Sequence, residues 1–501
     1  MELLNREQLK AGNTQVVCPP VSTLELPEKV LQFGTGVLLR GLPNYYINKA
    51  NLAGKFNGRV VVVKSTDQGG TDDFDKQNNL YTICIRGIQN GEKKEENQVI
   101  SAISRVLTAS QQWEEILDFA ASPSLEVVIS NTTEVGIRLE EDNVHAQPPV
   151  SFPGKLLAVL YHRYKMYNGS KDRGLVIIPT ELIPDNGTKL KEIIIELAHQ
   201  NQLPEDFVTW VEEVNHFCNS LVDRIVPGKP HADLKQQLEQ ELGYKDQLLI
   251  MSEVYSLWAI EGNEKVKNVL SFAQTDPGVV VTPDIGLHRE LKLRLLNGTH
   301  TLSCGIAFLS GFPTVKEAMD NAEMSAYIEN LMKQEIAKSI PYEVDEQTAI
   351  TFANNVIDRF KNPHIEHQWL SITMNYTSKL GMRVVPLLLN HAKKFNNVPE
   401  LMAFGFSAYI AFMNGYEKDG KYFGKTAGKE YPINDDKAAY VIDLWNKNGK
   451  EGIVKAILSD EKLWGTDLTQ IAGFENTVNN NLQNILEQTV PTVLNSLFIK
   501  A

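Results

Sequence analysis

A chain of 501 residues, 43% hydrophobic and 22% charged, is too long for one ordinary domain and too apolar for a disordered one. Its formal charge of −13 argues against a nucleic-acid-binding surface, and no run approaches the ~18 uninterrupted apolar residues of a membrane span. Cys18, Cys84, Cys218 and Cys304 stand far apart with no C-x-x-C pair, which argues against a zinc ribbon or a disulfide framework and fits a reducing cytoplasm.

The N-terminus has no basic start followed by an apolar run, so no export leader is expected. The first half then alternates short β-branched runs with helical spacing, the pattern of an α/β fold with a parallel sheet and crossover helices. Predicted strands cover residues 29–33, 59–65, 125–131, 174–180 and 246–252, and "LRGLPNYYINKAN" and "QQWEEILDFAAS" read as helices between them. From about Arg289 strand signals nearly vanish, and segments such as "QTAITFANNVIDRFKN" and "SKLGMRVVPLLLNHAKKF" carry helical spacing. The expected boundary follows "TPDIG", giving a dinucleotide-binding unit over 1–285 and a mainly α-helical unit over 286–501.

The first strand runs into "FGTGVLLRG", then a helical pattern. Gly34, Thr35 and Gly36 permit a tight turn, and the helix start at Val37 and Leu38 offers amides to a pyrophosphate. Leu39 stands where G-x-G-x-x-G expects a third glycine, so the motif is incomplete. At the end of the second strand Lys64 and Ser65 suit a 2′-phosphate, whereas Asp67, after Thr66, suits free ribose hydroxyls. From these residues the choice between NAD and NADP stays open.

"LKLRLLNGTH", residues 291–300, sets Lys292, Asn297 and His300 among leucines. At ~100° per residue all three fall within one half of an α-helix, with Lys292 and Asn297 ~140° apart. Either they form a site on a buried helix, or a surface lysine and a satisfied core histidine share a half-exposed one.

The string K-x-R-L-L-N-G-x-H, Lys292 to His300, resembles the signature of the mannitol dehydrogenase family of long-chain, metal-independent polyol and sugar-acid dehydrogenases. "QNNLYTICIRG", "ISNTTEVGI", "NSLVDRIVP", "SEVYSLWAIEG" and "RFKNPHI" match in the same order, so the resemblance spans most of the chain. It implies a Rossmann-type N-terminal domain, a helical C-terminal domain with a substrate cleft between them, NAD as cofactor, and Asn131 and Thr132 beside it. It also implies Lys292 as general acid/base, with Asn297 and His300 positioning the reacting oxygen and neighbouring hydroxyls. Proton exchange near neutral pH then calls for a lysine well below its unperturbed ~10.4, through burial and a nearby cation such as Arg294.

A lysine acid removes the need for zinc, and no clustered Cys/His set is present; His364 and His367, at helical i,i+3 spacing, lack a third ligand. Polyol-oxidising relatives carry C-D-N-x-P-x-N-G where this chain has "TELIPDNG", so their second oxyanion donor aligns with Leu182, and the carbonyl is polarised either by Lys292 and Asn297 alone or with another donor such as Asn186. The wording of the glycine turn points to the sugar-acid branch, and a substrate carboxylate wants guanidinium or ammonium partners. Arg359 and Lys379 are the candidates in the helical half, with Asp223 and Arg224 as cleft-lining residues or a mutual ion pair. Alternatives are a family member that reduces fructuronate, a mannitol-type polyol 2-dehydrogenase, and a nicotinamide-binding regulator without turnover. Oligomeric state is not legible.

Overall fold

The computed structural model describes residues 1–11, 16–65, 70–132 and 136–499. The chain divides into two compact units, one of residues 1–87 and 93–285, the other of residues 88–92 and 286–501.

In chain order, the strands of the first half are β1 (Glu28–Phe33), β2 (Arg59–Lys64), β3 (Tyr81–Gln89), β4 (Glu92–Ile100), β5 (Ile103–Thr108) and β6 (Val127–Ser130). They continue with β7 (Val176–Pro179), β8 (His216–Phe217), β9 (Ser220–Asp223), β10 (Ile250–Glu253), β11 (Leu257–Glu261) and β12 (Val279–Thr282). Six of them form an all-parallel sheet in the order β5-β2-β1-β6-β7-β8. Every residue of β2, β6 and β7 is buried, because a parallel sheet covered on both faces needs continuous apolar runs such as "RVVVVK".

Alternate residues serve the two faces. Val30, Val60, Val62, Val127 and Ile129 join one apolar cluster, while Leu31, Phe33, Val61, Val63 and Val128 join the other. Each such side chain contributes about 1.5–3 kcal/mol of burial free energy. The chain works outward from β1 to β5 on one side, then returns beside β1 at β6 and works outward to β8. This is the doubly wound Rossmann arrangement, and its switch point, where ligands bind beyond the strand ends, lies between β1 and β6.

Three features depart from the sequence pattern. The expected strand at 246–252 forms only from Ile250, and it pairs in parallel with β3 in a separate sheet ordered β10-β3-β4. "LRGLPNYYINKAN" is two helices, Val37–Gly41 and Pro43–Leu52, broken at Leu42 with Pro43 opening the second. A third small sheet, β12-β11-β9, had no sequence signal strong enough to separate it.

The second unit is mainly helical. The helix Glu400–Phe412 is buried along most of its length and packs on the helix Thr299–Leu309. Gly405 makes that approach possible, since a Cβ there would sit 2.8 Å from the Leu302 carbonyl oxygen. Two segments, Lys292–Gly298 and Leu331–Ile336, are π-helical and lie against each other.

The helical expectation also misses an antiparallel meander of β13 (Gly415–Lys418), β14 (Lys421–Thr426) and β15 (Lys429–Pro432). Its turns are Asp419-Gly420 and Ala427-Gly428, all four residues at positive φ as two-residue hairpin loops require. Among the described residues no helix is long and apolar enough to cross a membrane.

Candidate functional site

At the end of β1 the backbone turns through Gly34, whose φ of 120° and whose surroundings both demand glycine. A Cβ there would lie 2.8 Å from the Asn131 carbonyl oxygen and 2.9 Å from Leu39 Cδ1. Leu39, in the place of the missing third glycine, is fully buried and packs under the turn. At Gly36 the side-chain direction is open, with nothing within 4 Å of a Cβ.

The turn borders a cavity of about 470 Å³ lined by Gly34, Thr35, Gly36, Lys64, Ser65, Asn131 and Thr132, and on its far wall by Arg138, Ser151, Phe152 and Lys155. The Ser65 hydroxyl is buried there without a hydrogen-bond partner. Lys64 and Lys155, 7% and 4% exposed, bring positive charge. A backbone that admits close approach, a hydroxyl lacking a partner and buried cations suit the ribose and pyrophosphate of a dinucleotide.

Thr132 is fixed from below. The Glu181 carboxylate, 3% exposed, accepts from the Thr132 amide (2.9 Å), the Thr132 hydroxyl (3.1 Å) and the Ser130 hydroxyl (3.1 Å). Burial raises the Glu181 pKa above the usual carboxylate value, and those donors oppose the rise. Val37 and Leu38 turn their side chains to the core rather than to the cavity. Thr66 and Asp67 lie outside the described residues. Sequence spacing gave no sign of the far wall, which comes from a loop and helix some 70–90 positions beyond the second strand.

In the second unit the string Lys292–Gly298 is a π-helix, not the α-helix assumed from the spacing. A π turn bonds i→i+5 and returns to the same side after five residues, so Lys292 and Asn297 share a side where α-helical spacing would set them ~140° apart. Both are half-buried. The Asn297 carbonyl accepts from the Thr301 hydroxyl (2.8 Å) and from Arg383 Nη1 (3.4 Å).

His300 follows one α-turn on and is 9% exposed. Its ring stacks on Phe360 at 4.2 Å and 15°, with the edges of His367 at 5.0 Å and Trp369 at 6.0 Å. Its Nε2 is buried without a partner. Burial, reinforced by His367, Arg359, Arg383 and Lys379, holds its pKa well below the usual 6.5, so the ring is neutral at pH 7 and carries one donor and one acceptor.

Arg359, 8% exposed, closes the helix Glu346–Phe360. Lys379, on the helix Tyr376–Arg383, donates to the Ile372 carbonyl (3.0 Å), and burial together with Arg383 lowers its pKa. Two members of this cluster carried no such role in the sequence. Arg383 sits 83 positions beyond His300, and His367 stands out in the sequence only as half of a histidine pair that lacks a third metal ligand.

Other expectations change. Arg294 is no activating cation aimed at substrate: it pairs with Glu290 (2.8 Å) and donates to the Met382 (2.7 Å) and Arg383 (2.9 Å) carbonyls. His364 and His367 do not sit on a helix, and His364 is exposed. Among the described residues no group of three His, Cys, Asp or Glu side chains is placed to hold a metal. Asn186 cannot serve as a second oxyanion donor, because its amide is spent on the Pro179, Glu181 and Ser220 carbonyls and its oxygen accepts from the Gly187 and Ser220 amides. Asp223 ends β9, 6% exposed. Its neighbour Arg224 is a structural clamp, donating to the Gly41 and Glu253 carbonyls and stacking on Tyr45 at 4.4 Å. Leu182 is 60% exposed.

Comparison with known proteins accords with this architecture. Residues 28–273 match the mannitol dehydrogenase Rossmann domain and residues 284–486 the mannitol dehydrogenase C-terminal domain. The chain is 38% identical to the altronate oxidoreductase of Halalkalibacterium halodurans over 488 residues, 94% of each chain. It is 36% identical to the altronate oxidoreductase of Bacillus subtilis over 468 residues, 92% of this chain and 94% of the other. Its fold is similar to that of Pseudomonas fluorescens mannitol 2-dehydrogenase, solved as a ternary complex with NAD and D-mannitol, at 22% identity, 100% coverage of both chains and a TM-score of 0.68. With both domains matched across most of its length, the chain belongs to the mannitol dehydrogenase family.

Proposed function

We propose that this protein is an NAD-dependent oxidoreductase that reduces D-tagaturonate to D-altronate, reversibly, in hexuronate catabolism in the cytoplasm. The observation that carries this reading is the gathering of Arg359, Lys379 and Arg383 around an uncharged His300, within reach of the segment bearing Lys292 and Asn297. A cluster with that much positive charge suits a sugar acid rather than a neutral polyol. The altronate oxidoreductases among its relatives support the same substrate class.

The nicotinamide, when bound, supplies the hydride. Gly34, Thr35, Gly36, Ser65, Asn131 and Thr132 hold the dinucleotide, with Val37 and Leu38 contributing backbone amides; Thr66 and Asp67 belong to the same proposed set. As negative charge develops on the substrate carbonyl oxygen, the Lys292 ammonium donates the proton to it. Asn297 polarises that oxygen, and neutral His300 orients an adjacent hydroxyl through Nε2. Arg359 and Lys379 balance the carboxylate. In the oxidative direction neutral Lys292 accepts the hydroxyl proton.

With Leu182 in place of the polyol enzymes' asparagine, and Asn186 committed to backbone carbonyls, carbonyl polarisation rests on Lys292 and Asn297. The reading is tested by following NADH and NADPH absorbance with tagaturonate, fructuronate and fructose as oxidants. NADH consumption with tagaturonate is expected to lead. Turnover with fructose alone would overturn the sugar-acid assignment, and NADH binding without turnover of any of the three would favour a regulator.

A further inference from the structure

We propose that Arg383 reads the substrate carboxylate and sets the preference of this site for a keto acid over a neutral ketose, an inference that rests on the reading above. Arg383 ends the helix Tyr376–Arg383 and is half-buried. One nitrogen, Nη1, is docked on the catalytic segment, donating to the Thr301 hydroxyl (3.0 Å) and to the Asn297 carbonyl (3.4 Å). Its Nε is buried with no hydrogen-bond partner, and among the described residues no carboxylate pairs with it. The guanidinium is thus held by one corner, leaving the Nε–Nη2 edge, the edge a carboxylate grips with two parallel bonds.

The corner is braced as well. Arg294, itself paired with Glu290, grips the Met382 and Arg383 carbonyls, so the helix end that aims Arg383 is tied to the segment carrying Lys292 and Asn297. Such bracing fixes the fork before substrate arrives and removes an ordering cost from binding. Electrostatics point the same way. Arg383 lowers the pKa of Lys379, and Arg383, Lys379 and Arg359 all act against protonation of His300. A bound carboxylate relieves that mutual repulsion, whereas a hydroxymethyl group at the same place leaves it and the buried Nε unsatisfied.

The test compares D-tagaturonate with its methyl ester, NADH in excess, in the wild-type protein, Arg383→Met and Arg383→Lys. In Arg383→Met, kcat/KM for the acid falls roughly 10- to 100-fold, mostly through KM, while that for the ester, which loses only the brace on Asn297 and Thr301, falls much less, so the preference for the acid collapses. Arg383→Lys restores part of the loss, since it returns the charge without the fork, and it carries the test alone if the methionine variant does not fold. Equal losses for acid and ester, or an unchanged acid KM, would overturn the assignment. A wild-type protein that turns over neither compound overturns the functional reading itself, a failure visible before any variant is made.

Discussion

At the glycine turn the chain offers a ligand mostly backbone: a turn only Gly34 can make, an open direction at Gly36, and the ends of β1, β2 and β6 brought level by a parallel sheet. Around His300 it offers side chains instead, drawn from the π segment and from the helices ending at Phe360 and Arg383, with His367 from the loop between them. The first region is set by local conformation, so a single residue can destroy it. The second is set by convergence of distant helices, so single changes there alter charge and hydrogen bonding while the scaffold persists.

The sharpest break in that comparison is expected at Gly34. Gly34→Val places a β-branched residue at a φ of 120° and against the Asn131 carbonyl. Strain of about 1–3 kcal/mol is expected, and relaxing it moves the turn away from the cavity, so NADH binding weakens by roughly 10- to 100-fold. Calorimetric titration with NADH checks this, and an unchanged affinity would place the dinucleotide elsewhere.

At His300 the expected effect is on pH dependence. Burial and the surrounding cations hold the folded-state pKa well below 6.5, so below about pH 6.5 the unfolded chain binds a proton that the folded chain refuses. Stability from this residue is therefore fully present above pH 6.5 and lost as pH falls, by at most about 1.4 kcal/mol per pH unit. His300→Phe, which keeps a ring against Phe360, flattens that limb of the stability profile; urea unfolding at pH 5 and pH 7.5 measures it. Parallel profiles for the two proteins would mean that the ring titrates normally.

The smallest effect is expected at Ser65. Ser65→Ala removes a hydroxyl that is buried and without a partner in the protein, so stability holds or rises slightly. Loss of one hydrogen bond of about 0.5–1.5 kcal/mol raises KM for NADH roughly 2- to 10-fold and leaves KM for the keto acid unchanged. A KM for NADH equal to that of the wild type would show that the hydroxyl does not meet the cofactor.

The same contrast explains what could be read from the sequence. The strands β1, β2, β6 and β7 announce themselves as buried β-branched runs, and Gly34 and Gly36 follow the first of them directly. β5, "ISRVLT", breaks its apolar run with a serine and an arginine and gave no strand signal. The meander at 415–432 did leave one, Asp419-Gly420 between alternating residues, which a helix-period reading passes over.

At the second site Lys292, Asn297 and His300 lie within nine positions and form a recognisable string, but the π turn that puts the first two on one side has no signature in an apolar pattern read at α-helical spacing. Arg383 was not legible at all, because an arginine in "GMRVVP" looks like any solvated helix terminus until Thr301 and Asn297 are seen beneath it. Asn186 errs the other way: its type and place suggested a donor, yet three carbonyls already claim its amide.

The most direct measurement is single-turnover reduction of D-tagaturonate by protein preloaded with NADH, wild type against Lys292→Met. Hydride transfer in the variant is expected to slow by about 10²–10⁴-fold, with NADH affinity and melting temperature unchanged. A variant that reduces the keto acid at the wild-type rate would contradict the account, because the proton would then come from a group other than Lys292.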